Sequence, residues 1–86
     1  MMYLQVKEAG KGLHPNEAVV AVKTASGVER LVVPRQSIVQ GAIQVGYPIK
    51  TKNDTYLIEL PRETQSGAWR IWVSKGQLWE PERKRA

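Results

Sequence analysis

The sequence predicts a small all-β domain of five or six short antiparallel strands. Seven glycines and five prolines divide its 86 residues into short segments, and both residue types mark turns. No window sustains the apolar spacing of an amphipathic helix, which needs about 11–18 residues. Short segments instead alternate or run apolar and are rich in Val, Ile, Tyr and Trp, the residues that strands favour.

Turn-forming residues bound each predicted strand. The six strand segments are residues 2–8, 17–24, 28–33, 44–52, 55–60 and 68–74. The first alternates Leu4 and Val6 with polar residues, which is typical of a half-buried strand. Pro34 and Pro61 each end the strand before them, because proline has no N–H to donate to a central ladder.

Short turns are predicted between these strands. The Ser-Gly pair that ends at Gly27 suits a tight hairpin, because glycine adopts positive φ without steric cost. Asn53-Asp54 suits a two-residue hairpin turn, since Asn and Asp also tolerate positive φ. Residues 34–41 are expected to form one helical or 3₁₀ turn, with Gly41 as the residue after its end. At most one such turn is predicted for the chain.

A candidate internal repeat relates two parts of the chain. At an offset of 40 residues, residues 24–33 lie over 64–73. The identical pairs are Thr24/Thr64, Ser26/Ser66, Gly27/Gly67, Arg30/Arg70 and Val33/Val73. Coincidence is the alternative. The two units are about residues 17–38 and 55–78. Each is predicted to contain a strand, a Ser-Gly turn, a second strand and a short basic turn that ends in an apolar residue, Ile38 or Leu78.

The repeat also predicts which face of each hairpin is buried. The more consistently apolar face carries Leu31, Val33, Trp69, Ile71 and Val73. We expect that face to form the core, because residues at alternate positions of a strand share one side of the sheet. Arg30, Arg70 and Trp72 are then predicted to face outward or toward a partner.

Short strands with tight turns and no crossover helix favour an antiparallel sheet that curls or closes. An SH3-like half-open barrel is the leading architecture. Two hairpins packed face to face, or a hairpin exchanged between two chains, are the alternatives. A single β domain is predicted over residues 1–79, followed by a frayed, charged tail over 80–86. The SH3-like shape is an analogy that implies no function.

Residues that catalysis and metal binding require are scarce. The absence of cysteine excludes a disulfide framework, a thiolate zinc site and a thiol nucleophile. His14 is the only histidine and Asp54 the only aspartate, and both are predicted in loops, where a solvated histidine and a turn aspartate are the favoured interpretations. No nucleophile elbow or glycine-rich phosphate motif is present. We therefore predict no enzyme, no cofactor and no metal site.

Charge and aromatic residues indicate a binding function instead. Thirteen Lys and Arg against eight Asp and Glu give a net charge of +5, which favours anionic partners, although the cations are spread along the chain. Tryptophan and arginine alternate near residue 70, and both are favoured anchors of protein interfaces. The candidate contact residues are Arg30, Arg35, Arg70, Trp72 and Lys75. Packing of Trp72 inside the core is the structural alternative.

The sequence thus predicts a non-catalytic binding module for protein–protein interaction or self-association. Nucleic-acid binding by a small basic barrel is the alternative, since exposed aromatics stack on bases and arginines contact phosphates. The longest apolar runs are too short for a membrane span, and no signal-peptide h-region follows Met1. Together with the missing cysteine, these features favour a cytoplasmic protein without a membrane partner.

Overall fold

A computed structural model describes residues 1–80 of the chain. Pro81–Ala86 lie outside the described residues, so nearly all of the predicted tail over 80–86 falls there. Residues 1–80 form nine short strands and two 3₁₀ turns. The strands are β1 (Met2–Gln5), β2 (Lys7–Lys11), β3 (Glu17–Thr24), β4 (Gly27–Pro34), β5 (Ala42–Val45), β6 (Lys50–Lys52), β7 (Thr55–Glu59), β8 (Arg70–Ser74) and β9 (Leu78–Trp79); the 3₁₀ turns are Arg35–Ser37 and Lys75–Gln77.

The all-β prediction is confirmed, but the predicted number of strands is wrong. All six predicted segments contain a strand, and two of them are broken. The chain leaves β1 at Val6, whose N–H donates to the carbonyl of Gly41 at 2.9 Å, and only then begins β2. Pro48 interrupts the segment 44–52, because proline cannot donate to a ladder. The two-residue strand β9 has no local pattern that predicts it.

The nine strands of residues 1–80 form three antiparallel sheets of three strands each. Two sheets are meanders of consecutive strands, β2-β3-β4 and β6-β7-β8. The third has the order β5-β1-β9, so β1 lies between a strand from the middle of the chain and the last described strand. The three sheets do not close into one barrel over residues 1–80.

The two-residue turn at Asn53-Asp54 is confirmed, but the Ser-Gly turns differ from the prediction. The turn between β3 and β4 is Ala25-Ser26, because Gly27 already pairs with Thr24. Ser66-Gly67 lies within the long connection between β7 and β8. Gly27 and Gly67 have φ of 131° and 92°, in the region that glycine reaches most readily. Asn53 has φ of 55°, and the pairing of Lys52 with Thr55 confirms the two-residue turn between β6 and β7.

The 3₁₀ turns correct two predictions. The first ends at Ser37, and Gly41 instead lies with Gln40 in a two-residue turn between the paired residues Val39 and Ala42. Both turn residues have positive φ, 51° and 76°. The second turn exceeds the predicted maximum of one. It is stabilised by a capping box in which Ser74 N–H donates to Gln77 Oε1 at 2.9 Å.

One hydrophobic core joins the three sheets. It contains Leu4, Val6, Val20, Val22, Leu31, Val33, Ile43, Val45, Ile58, Leu60, Ile71, Val73 and Leu78. The predicted core face of β4 and β8 is confirmed for its four aliphatic residues. Trp69 is the exception, with 53% of its surface exposed, because β8 begins only at Arg70. Burial of each aliphatic side chain stabilises the fold by about 1.5–3 kcal/mol.

No helix within residues 1–80 is both long enough and apolar enough to cross a membrane.

Candidate functional site

The outer side of the β6-β7-β8 sheet carries a cross-strand row of mixed chemistry. Tyr56 and Ile58 lie on the inner side with the core, so Leu57 between them lies on the outer side. The register pairs Leu57 with Lys50 on β6 and with Trp72 on β8. Directly paired side chains lie about 4.5–5.5 Å apart at Cβ. The row therefore places a cation, an aliphatic chain and an aromatic ring side by side.

Two further rows flank this one and complete a surface that we call the aromatic face. Lys52 and Thr55 lie in the row beyond Lys50 and Leu57. Glu59 and Arg70 lie on the opposite side, with Arg70 Nε 3.5 Å from Glu59 Oε2. An exposed ion pair of this kind contributes only about 0–1 kcal/mol, and it gives Arg70 an acidic neighbour on this face.

The outer side of the β2-β3-β4 sheet forms a second surface, which we call the cationic face. Ala21 on β3 lies between Lys7 on β2 and Arg30 on β4. The adjacent row pairs Lys23 with Val28, whose side chain is exposed. Arg30 is opposite an alanine and makes no ion pair with any residue from 1 to 80, so its charge is available to a ligand.

The structure divides the predicted contact residues among separate elements. Arg70 and Trp72 share the aromatic face on β8, whereas Arg30 lies on the cationic face of the other meander. Arg35 begins the first 3₁₀ turn and is held in place: its Nη1 lies 3.3 Å from Glu8 Oε2, and its Nε donates to the carbonyl of Pro15 at 3.2 Å. Lys75 begins the second 3₁₀ turn and is exposed.

Of the residues on the aromatic face, only Arg70 and Trp72 were among the predicted contact residues; Lys50, Lys52, Thr55, Leu57 and Glu59 were not. The position of the two-residue turn at Asn53-Asp54 is the sequence feature that predicts where Lys50, Lys52 and Leu57 lie. Such a turn fixes the hairpin register, so Lys50 must pair with Leu57, and the alternation of β7 then places Leu57 on the outer side.

A small hydrogen-bond cluster fixes the long loop between β7 and β8 to β4. Ser66 Oγ donates to Glu29 Oε1 at 2.7 Å, and Thr64, which is 95% buried, shares a hydrogen bond with Ser66. Hydrogen bonds from Ser66 and then Thr64 lower the pKa of Glu29 below its usual value. The N–H of Gln65 also donates to the carbonyl of Arg30 at 2.7 Å, so the loop braces the strand that carries Arg30.

The residues considered for catalysis lie apart. His14 is exposed in the loop between β2 and β3, and Asp54 lies in the turn between β6 and β7. Among residues 1–80, no group of three His, Cys, Asp or Glu side chains is placed to hold a metal ion.

A surface cleft of about 390 Å³ adjoins β1 and the first 3₁₀ turn. Its polar lining comes from Tyr3, Gln36, Ser37, Gln44 and Arg62. The lining includes neither a histidine nor a carboxylate, the usual side chains for proton transfer.

Comparison with known proteins gives no relative for this chain: no family model, no curated protein and no solved structure matches it.

Proposed function

We propose that this chain is a small non-catalytic β module that binds another protein, or a second copy of itself, through the aromatic face. The observation that carries this proposal is the row of Lys50, Leu57 and Trp72 on the outer side of β6, β7 and β8. Aromatic and cationic residues are favoured at the centre of protein interfaces.

The packing of the row suits an anchor of this kind. Trp72 and Leu57 are half-buried, so the sheet restrains their rotamers while part of each side chain stays accessible. An anchor that is already ordered loses little conformational entropy when a partner binds. Arg30 on the cationic face supplies a second contact, because it lacks an acidic partner within residues 1–80.

The finer architecture is also part of this proposal. We infer an SH3-like half-open barrel with two similar hairpin units over about residues 17–38 and 55–78, working in the cytoplasm without a cofactor. Its support is the succession of short strands and tight turns, and the 3₁₀ turn that follows each meander.

Charge reversal on the aromatic face tests the binding role. Lys50→Glu changes one exposed side chain of β6. Lys11→Glu is the matched control, because Lys11 is exposed at the end of β2 away from Lys7 and Arg30. Self-association is measured by sedimentation velocity, and protein partners are measured by quantitative capture on each immobilised variant. We expect the β6 variant to weaken association about tenfold or more and the control to leave it within about twofold. The proposal is contradicted if both variants associate as strongly as the parent chain does.

Nucleic-acid binding is the second candidate, and the lysines of β6 favour it. Lys50 and Lys52 flank Leu57 and Trp72 and make no ion pair within residues 1–80. Single-stranded DNA and RNA are titrated while tryptophan fluorescence is followed at several salt concentrations. Binding that weakens steeply with salt supports this candidate, and an unchanged signal at low salt eliminates it.

A further inference from the structure

We propose that the chain is an intertwined pair of equivalent units, residues 1–40 and 41–80, related by a two-fold axis through the paired residues Leu4 and Ile43. The surface along β1 and β5 is then a self-complementary interface, and the partner it fits is another copy of the same unit. The two-fold arrangement is independent of the binding role of the aromatic face.

The last two strands of each meander, β3 with β4 and β7 with β8, pair in the same register. In the first, the paired residues are Ala18/Val33, Val19/Val32, Val20/Leu31 and Ala21/Arg30. In the second they are Tyr56/Val73, Leu57/Trp72, Ile58/Ile71 and Glu59/Arg70. Each β7 residue stands 38 positions after its β3 counterpart, and each β8 residue stands 40 positions after its β4 counterpart. All four pairs therefore correspond without a slip, although a slip of one residue would reverse the faces.

The segments after the meanders correspond as well. Pro34 and Ser74, which precede the two 3₁₀ turns, have φ, ψ of −60°, 140° and −71°, 148°. Each turn is tied to the residue before the middle strand of its own meander, because Arg35 N–H donates to the carbonyl of Asn16 and Lys75 N–H to that of Asp54, both at 2.8 Å. The 3₁₀ turns thus hold equivalent positions in the two units.

The pairing of β1 with β5 places the symmetry axis. Leu4-Gln5-Val6 matches Ile43-Gln44-Val45 in sequence, and Leu4 pairs directly with Ile43. Equivalent residues of two antiparallel strands face each other only where a two-fold axis passes between them, perpendicular to the sheet. The contacts to either side correspond under that axis: Met2 pairs with Val45, and Val6 N–H donates to Gly41. The interface is therefore isologous.

Each unit completes its sheet with the first strand of the other unit. Trp79, after the second 3₁₀ turn, pairs with Tyr3 of the first unit. Val39, after the first 3₁₀ turn, pairs with Ala42 of the second unit. Ala42 is the counterpart of Tyr3, and Val39 that of Trp79, so the two contacts correspond. The first belongs to a two-residue ladder with Leu4–Leu78, and the second is a single bridge.

Equivalent residues also fill the core from both sides. The corresponding buried pairs are Leu4/Ile43, Val6/Val45, Val20/Ile58, Val22/Leu60, Leu31/Ile71 and Val33/Val73. A unit of about 40 residues is at the lower limit for burying a stable core alone. Exchange of first strands joins two such units around one core, which explains why the unit needs a second copy.

Loop lengths explain why the offset varies along the chain. The loop Leu13–Asn16 of the first unit corresponds to the two-residue turn Asn53-Asp54 of the second, and the connection between β7 and β8 is longer than that between β3 and β4. The offset is 39 between β1 and β5. The shorter loop lowers it to 38 between β3 and β7, and the longer connection raises it to 40 between β4 and β8.

Circular permutation of the full chain tests the arrangement. Ala86 is joined to Met1 and the Gln40–Gly41 bond is opened, which keeps all 86 residues and reverses the order of the units. In the permutant the chain passes from one unit to the other at the Tyr3–Trp79 pair, as it does at the Val39–Ala42 pair in the parent. If the two pairs are equivalent, the fold is preserved, so we expect cooperative unfolding with a Tm within about 10 °C of the parent.

The matched control carries the same join but is opened at the Asn53–Asp54 bond, which cuts a hairpin inside one unit. We expect this control to lose more than about 10 °C in Tm or to lose cooperative unfolding. An unfolded permutant opened at Gln40–Gly41, or one that loses as much Tm as the control, overturns the two-fold arrangement.

Conservative substitutions at the axis give a second, independent readout. Leu4→Val and Ile43→Val each alter one side of the same buried pair, and both residues are almost fully buried. We expect both variants to lower Tm by similar amounts, roughly 4–10 °C, and the double variant to depart from additivity because the residues are paired. A loss at one position about three times that at the other contradicts equivalence.

Discussion

At the scale of single residues, a few polar contacts position the surfaces that are proposed to bind. Glu29 is half-buried on β4, and its carboxylate accepts a hydrogen bond from Ser66 in the connection between β7 and β8. Arg35 is fixed by Glu8 and Pro15 and is thus a structural side chain more than a free anchor. Arg30 and Arg35 are both exposed cations, but within residues 1–80 only Arg35 has an acidic partner.

The pH dependence of stability tests the role of Glu29. Its pKa in the folded state lies below the ordinary value of 4.5, so its contribution is present at higher pH and is lost as the pH falls through the folded pKa. We expect Glu29→Gln to lower Tm near neutral pH and to approach the parent under acidic conditions. Thermal unfolding followed by circular dichroism measures this, with Glu63→Gln as the control. A pH-independent difference in Tm contradicts this role.

Close backbone packing makes Gly12 a second test at this scale. A Cβ atom added to Gly12 would lie 2.6 Å from Glu17 Cβ, whereas one added to Gly10 would meet nothing within 4 Å. We expect Gly12→Ala to lower the free energy of unfolding by about 1–3 kcal/mol and Gly10→Ala to cost far less. Urea denaturation compares the two variants, and equal losses would show that the approach to Glu17 is not a constraint.

At the scale of elements, local sequence patterns predicted the strands and the hairpin partners, but not the pairing of β1 with β5 and β9. Alternation and the Pro and Gly positions are local signals, so all six predicted segments contain strands. Val6 and Pro48 break two of them because backbone hydrogen bonding changes there, which alternation does not record. β9 depends on pairing with β1 from the other end of the described chain, and no local pattern encodes that contact.

The turn between the two units offers a prediction for this scale. Gln40 and Gly41 both have positive φ, the geometry that Asn-Gly favours in two-residue hairpins. We expect Gln40→Asn to raise the free energy of unfolding by about 0.5–1 kcal/mol and Gly41→Ala to lower it by about 1–2 kcal/mol. Chemical denaturation measures both, and an unchanged Gly41→Ala variant would contradict the positive φ at that position.

At the scale of the whole molecule, the sequence predicted the orientation of the candidate contact residues but not their grouping. Arg30, Arg70 and Trp72 lie outside the core, as the alternation of β4 and β8 requires. Their division between two faces depends on the order of strands in three sheets, which long-range pairing sets. The sequence placed Trp69 on the core face, but Trp69 is exposed, because the pairing of β8 with β7 begins only at Arg70.

The joining of the two meanders by β1, β5 and β9 is the central feature of this account. Nuclear Overhauser effects between backbone protons in solution test it most directly. The account predicts cross-strand contacts of Leu4 with Ile43, of Tyr3 with Trp79 and of Val39 with Ala42. Contacts of β1 with Ile38 and Val39 in place of β9 would contradict the exchange of first strands and, with it, the two-fold arrangement of the units.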